Sequence, residues 1–155
     1  MTNLAFHPES SAQLPAYAIN NYIRGGRGAV TLKSPSGKHH TYMFSRPRNP
    51  NEFPEDILFV YAVHDHQKLF YVGMVERNQF RITQYSRFDS NSEIAKGAAF
   101  IMRWANNPNM KTSMILYHEG VCGCCGRKLT SPKSIECGIG PRCRKLMKEK
   151  KEDII

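Results

Sequence analysis

Cysteine is absent from the first 121 residues of this 155-residue chain, and all five cysteines fall between positions 122 and 143. Long apolar runs are absent too. None approaches the roughly 20 residues that a membrane-crossing helix needs, so no membrane association is expected. The opening Met1-Thr-Asn-Leu-Ala-Phe-His-Pro8 has neither the basic start nor the apolar stretch of a secretory signal. A cytoplasmic location is expected, and in a reducing compartment clustered cysteines favour metal over disulfides. Signatures of catalysis are missing as well. No HExxH is present, and serine and histidine form no nucleophile elbow. Arg24-Gly-Gly-Arg-Gly28 lacks the GK[ST] ending that would place lysine and hydroxyl on phosphates and Mg²⁺. Helix termination explains that segment better, and the chain is read as a non-enzyme.

A hydrophobic content of 41% is enough for a real core. The net charge of +9 arises from 22 basic and 13 acidic residues and is unevenly spread. Residues 121–155 carry nine of the basic and four of the acidic side chains, a net +5 in 35 residues. A basic end favours an anionic partner, most simply nucleic acid, with an acidic host protein as the alternative. Solubility alone is the plainer explanation.

Periodicity outlines an α+β protein: a small antiparallel sheet, two helices and a C-terminal zinc knuckle or ribbon. Residues 1–14 read as a loose leader and 15–117 as the α+β domain. Pro15 suits a first helical position, Ile19, Tyr22 and Ile23 share a face, and Gly25-Gly26 ends the helix. Short strands are expected at 29–33, 38–45, 57–63, 69–75, 80–85 and 113–117. Asp89-Ser-Asn-Ser92 offers caps for a second helix, with Ile94, Ala98, Ile101, Met102 and Ala105 on its apolar face. Short turns between successive strands favour antiparallel pairing. Residues 118–145 form the knuckle and 146–155 a charged tail with a helical continuation after Arg142.

Cys122 and Cys125 have the CxxC spacing that lets two thiolates converge on one ion from a tight turn, and Gly126 follows as such turns require. Cys124, between them, points away or competes. Cys143 follows the Gly138-Ile-Gly-Pro141 turn and supplies a third ligand. The fourth is open between Cys137, giving a four-cysteine site, and His118, at HxxxC spacing. Water is a third option. It would leave the open position that a zinc-dependent hydrolase, the least favoured reading, requires, but the local carboxylates Glu119 and Glu136 sit in no catalytic motif. The reading is one structural zinc. Arg127, Lys128, Lys133, Arg142, Arg144 and Lys145 lie beside it as candidate phosphate contacts.

The string Cys122-x-x-Cys125-Gly-Arg127-x-Leu129-Thr-x-Pro132-x-Ser134-Ile-x-x-Gly138-Ile-Gly-Pro141-x-Cys143 resembles an uncharacterised zinc-ribbon-like domain found in phage, plasmid and bacterial proteins. The upstream strands, the Phe80–Thr83 segment, the Ala95–Trp104 helix and the His118-Glu-Gly120 lead resemble that group more loosely. The resemblance implies three cysteines as the common ligand set and tips the fourth toward His118. It implies a phage or mobile-element protein acting in a bacterial cytoplasm, and brings no activity with it.

Two further groups stand out. His39-His40 and His64-Asp65-His66 suggest a second metal site or an acid/base pair, although polar residues are ordinary in turns. Tyr42, Phe44, Tyr61, Phe70, Tyr71, Phe80 and Tyr85, with Lys38, Arg77, Arg81 and Arg87 nearby, offer a stacking sheet for single-stranded nucleic acid. Core packing is the ordinary role of such residues, and Trp104 is assigned to the core.

Overall fold

The structure is a computed structural model, and it describes residues 12–153 apart from 55 and 65–67. It is an α+β protein built on one antiparallel seven-stranded sheet. The strands are β1 (Ala12–Gln13), β2 (Ala29–Lys33), β3 (His39–Ser45), β4 (Leu58–His64), β5 (Lys68–Glu76), β6 (Gln79–Arg81) and β7 (Ile115–His118). Their spatial order is β1-β7-β2-β3-β4-β5-β6. Strands β2 to β6 form a meander, and β7 returns from the far side to pair with β2, placing Val30 opposite His118. The knuckle therefore leaves the sheet beside the start of β2.

Among the described residues four α-helices accompany the sheet: α1 (Ala16–Arg24), α2 (Glu93–Asn106), α3 (Pro132–Cys137) and α4 (Pro141–Asp153). Helix α2 begins where the Ser92 hydroxyl accepts a hydrogen bond from the Ala95 amide at 3.1 Å. It buries Ala95, Ala98, Ile101, Met102 and Ala105, the stripe that the 3.6-residue period marks out. Asn107 closes it, its side-chain amide donating to Arg103 O at 2.9 Å. Helix α1 buries Ala18, Ile19, Tyr22 and Ile23. Pro15 is its N-cap rather than its first helical residue. The helices and one sheet face, with Val30, Tyr42, Phe44, Val60 and Val75, enclose the core.

Several boundaries differ from the sequence-based expectation. Residues 12–14, placed in a loose leader, are held to the sheet: Ala12–Gln13 pairs with β7, the Leu14 amide donates to Leu116 O, and the Leu14 side chain is buried. The rest of the leader lies outside the described residues. The strand expected at 80–85 ends at Arg81, because hydroxyls compete for the backbone beyond it. Thr83 donates its amide to Ser86 Oγ at 2.9 Å and accepts one from Tyr85. Helix α3 was not anticipated, and α4 runs through most of the expected charged tail.

One contact sets how closely α2 lies on the sheet. The buried Tyr42 hydroxyl donates to Ile94 O at 2.8 Å, and Gly97 leaves room for it. An added Cβ at Gly97 would overlap that hydroxyl. Glycine costs about 1 kcal/mol against alanine inside a helix, so Gly97→Ala would ordinarily stabilise. Here we expect it to destabilise by about 1–3 kcal/mol through overpacking. The cost should shrink in a Tyr42→Phe background, which denaturant unfolding of the four proteins of the cycle will show.

Candidate metal centre and basic knuckle

The Cys122–Cys125 turn is built from its own backbone. The Cys122 amide donates to Arg127 O at 2.7 Å and the Gly126 amide to Cys122 O at 2.9 Å. Gly126 sits at φ +79°, in the left-handed region that glycine enters freely. Three amides then point at one sulfur: those of Cys124, Cys125 and Gly140 donate to Cys122 Sγ at 3.4, 3.5 and 3.3 Å. Burial opposes ionisation of Cys122, but these donors outweigh it and its pKa is lowered.

The third sulfur arrives by a longer route. Ser131 caps α3, Gly138 ends it at φ +74°, and α4 starts at Pro141, so Cys143 lies in the first turn of a helix aimed at the CxxC loop. The sulfurs of Cys122, Cys125 and Cys143 lie within 4.8 Å of one another, a group that could hold a metal ion. Burial, with the neighbouring thiols of Cys125 and Cys122, pushes the Cys143 pKa up to about 12. The Cys124 side chain also adjoins Cys143 and adds to that shift, so it does not simply point away.

Neither expected fourth ligand joins this group. The ring of His118 is buried, with Gly120 N donating to Nδ1 at 2.9 Å and Nε2 lying 2.6 Å from Ile135 O. Both ring nitrogens are thus engaged by backbone, Nε2 as the donor, and burial keeps the imidazole below its usual pKa and neutral. The Cys137 thiol is buried and faces the Ile139 carbonyl at 3.4 Å, as a small packed side chain.

The basic residues divide into two kinds. Arg127, Lys128 and Arg142 line a cavity of about 500 Å³ against the three thiols, and Lys133 and Lys145 are exposed on α3 and α4. Arg144 is different. Its Nη1 donates to Ser134 Oγ at 3.0 Å and Ile139 O at 2.9 Å and lies 3.4 Å from Cys137 Sγ, so it ties α4 to α3. The residue expected as a phosphate contact thus has a structural role within the knuckle.

The body holds the knuckle through α1 and the glycines after it. The Arg27 amide donates to Gly123 O at 2.9 Å, and Arg27 Nη1 reaches Cys125 O at 3.1 Å. Gly25 lies so close to Gly123 O that a Cβ would overlap it. The Arg24–Gly28 segment is therefore a seat for the knuckle, a role its composition did not disclose. The histidine pairs form no metal group among the described residues. His40 lies 3.6 Å from Glu93, His64 packs against Phe70, and His66 lies outside the described residues. The aromatics separate, with Tyr42 and Phe44 buried in the core and Tyr85 exposed in a turn.

The fold and site together define an α+β protein carrying a three-thiol cluster that could hold a metal ion, with no helix among the described residues long and apolar enough to cross a membrane. Residues 117–148 match the model of a family of unknown function, DUF6011. The match begins in β7, takes in the knuckle and α3, and runs into α4, leaving most of the sheet outside. No curated protein and no solved structure matches the chain.

Replacing Arg144 by Met should remove two hydrogen bonds, leaving the buried Ser134 Oγ with only the Ser131 hydroxyl as a donor and Ile139 O with only the Cys137 thiol. We expect a loss of about 1–3 kcal/mol, read from denaturant midpoints.

Proposed function

We propose that the thiol cluster holds a structural zinc ion, and that the protein binds nucleic acid through the basic surface which this ion fixes in place. The observation that carries the reading is the cavity itself: three convergent sulfurs on one side, and Arg127, Lys128 and Arg142 as its charged lining. Thiolates are soft donors suited to zinc. On a tetrahedron of ~2.3 Å zinc–sulfur bonds, neighbouring sulfurs lie about 3.8 Å apart. The observed group, its sulfurs within 4.8 Å of one another, is compatible with that spacing. Zinc chemistry also agrees with the amide donors around Cys122, which support a thiolate whether or not the others have lost their protons.

A non-enzymatic role fits the same cavity. Its lining holds no carboxylate and no imidazole among the described residues, and Glu119 lines the adjoining cleft that shares Cys124 and Cys125. The resemblance of the 122–143 string to a zinc-ribbon-like group of phage, plasmid and bacterial proteins favours action in the cytoplasm of a bacterial host.

Purified protein should contain about one zinc per chain, and a strong chelator should unfold the knuckle while releasing the metal. Cys125→Ser should lower the zinc content well below that of the parent protein. A metal-free protein whose fold ignores the chelator would remove the metal from this account. Zinc affinity should fall as the pH is lowered, because Cys143 must lose its proton to ligate.

Five contacts, from Arg127, Lys128, Lys133, Arg142 and Lys145, predict affinity for duplex DNA that falls with salt with a log–log slope near ~4.5. The double variant Arg127→Ser, Arg142→Ser should reduce that slope by about 1.8, measured by anisotropy across a salt series. Salt-insensitive binding, or none at low salt, counts against the reading. A stoichiometric protein partner recovered from nuclease-treated bacterial lysate would instead favour an acidic host protein at the same surface.

A further inference from the structure

The sheet has a second face, and over β3, β4 and β5 the helices leave it open. Core residues Tyr42, Phe44, Val60 and Val75 point to the helices. Their alternating neighbours Met43, Phe59, Tyr61, Tyr71 and Met74 are half-buried and take no part in that core. Cross-strand register puts Met43 beside Tyr61, Tyr61 beside Tyr71, and Phe59 beside Met74. Four rings follow one another edge to face. Phe53 lies 5.4 Å from Phe59, Phe59 lies 6.2 Å from Tyr71, and Tyr71 lies 5.8 Å from Tyr61.

A β-bulge makes this row. Strict alternation from Met74 would place Val72 on the open face and Tyr71 on the core face. The register shifts between Val60 and Tyr61, so Val72 is fully buried and Tyr71 is paired with Tyr61. Bulges re-aim side chains in this way. Here the device turns a large aromatic away from the core, which a purely structural strand has no need to do.

The row is flanked by positive charge and leads to the knuckle. Arg48 is close enough to Tyr61 to act on its hydroxyl. At the other edge Arg81 meets Met74 and Glu76. Met43 and Ser45, on the open face, also line a cleft of about 820 Å³. Arg27 and Arg46 stand in that cleft against the single carboxylate of Glu119. Its far wall is Cys124 and Cys125, which also border the basic cavity at the thiols. Open rings, a cationic cleft and a cationic cavity are thus continuous.

We propose that the open sheet face is a binding track for single-stranded nucleic acid, with bases stacked on Phe59, Tyr61 and Tyr71 and the sugar-phosphate backbone led through the Arg46–Arg27 cleft toward the knuckle. This rests on the nucleic-acid reading above and narrows it to single strands. A flat aromatic face matches an unpaired base, and the guanidinium groups match the phosphates. Duplex DNA buries its base faces within the stack and would leave the rings without a partner.

The test compares fluorescein-labelled oligothymidylate and oligouridylate of about 20 nucleotides, longer than the site size of a single small domain, with a mixed-sequence duplex of equal length. Wild type should prefer the single strands. Tyr61→Leu and Tyr71→Leu keep apolar bulk without a stacking face, and each should weaken single-strand binding roughly 5- to 150-fold, with the salt slope and the duplex affinity unchanged. Emission from buried Trp104 and the zinc content report whether each variant is folded. As a readout independent of substitution, photocrosslinking of a 4-thiouridine oligonucleotide to wild type should label the peptides of β4 and β5.

Equal affinity of the leucine variants and wild type for single strands, with crosslinks confined to 122–148, overturns the track and leaves the basic knuckle reading standing. Tighter binding to duplex than to either oligonucleotide does the same. A dimer that shields the rings from solvent assigns the face to a second copy and overturns the track. Absence of all nucleic-acid binding at low salt removes both readings together.

Discussion

The ring of Tyr22 is the contact on which the rest of the molecule depends. It is fully buried at the end of α1, and its hydroxyl donates to Ala29 O in β2 at 3.3 Å. Its face meets the His118 ring at 5.6 Å, at the end of β7. Its edge meets the knuckle at two glycines: a Cβ on Gly123 or Gly138 would stand 2.8 or 2.5 Å from its Cδ2. One side chain therefore joins helix, sheet and knuckle. Burying a tyrosine removes about 200 Å² from water, which at ~25 cal/mol per Å² is at most about 5 kcal/mol. The two glycines matter because they let backbone approach that ring, which no other residue type permits at this distance.

Convergence of the sulfurs follows from that seat. The CxxC turn brings Cys122 and Cys125 together locally, but Cys143 is delivered by α3 and α4, which Arg144 ties together while the His118 contact to Ile135 holds α3 to the end of β7. The buried His118 imidazole acts as a strut, bonded to backbone through both ring nitrogens. The same holds for Arg144, whose guanidinium satisfies buried acceptors where a hydrophobic side chain could not. The positive charges left at the cavity are those with no such structural duty.

Much of this was legible in the amino-acid order. Helices α1 and α2 and most strands appeared within a few residues of their observed bounds, because the 3.6 and 2.0 periods report which face is buried. Local hydroxyl competition at Thr83 and Ser86 shortened β6, a short-range effect that propensity alone understated. Residues 12–14 carry little pattern of their own and are held by pairing with β7, a strand more than a hundred positions away, and by burial of Leu14. The aromatics were recognised as a group, but alternation could not sort them. An extra residue at Val72 reverses the facing of everything beyond it, and nothing in the composition of β5 marks the place.

Spacing by itself determined the Cys122–Cys125 turn and the αL glycine after it, since a four-residue loop closes through its own amides wherever it stands. It also determined the uneven charge and the apolar stripes. Only the tertiary structure decided that neither His118 nor Cys137 lies with the three cysteine sulfurs, that Arg144 is engaged within the knuckle, and that Tyr61 and Tyr71 share the uncovered face. Those outcomes turn on contacts between segments far apart in the chain, where packing and register, not neighbouring residues, choose which side of an element a side chain occupies.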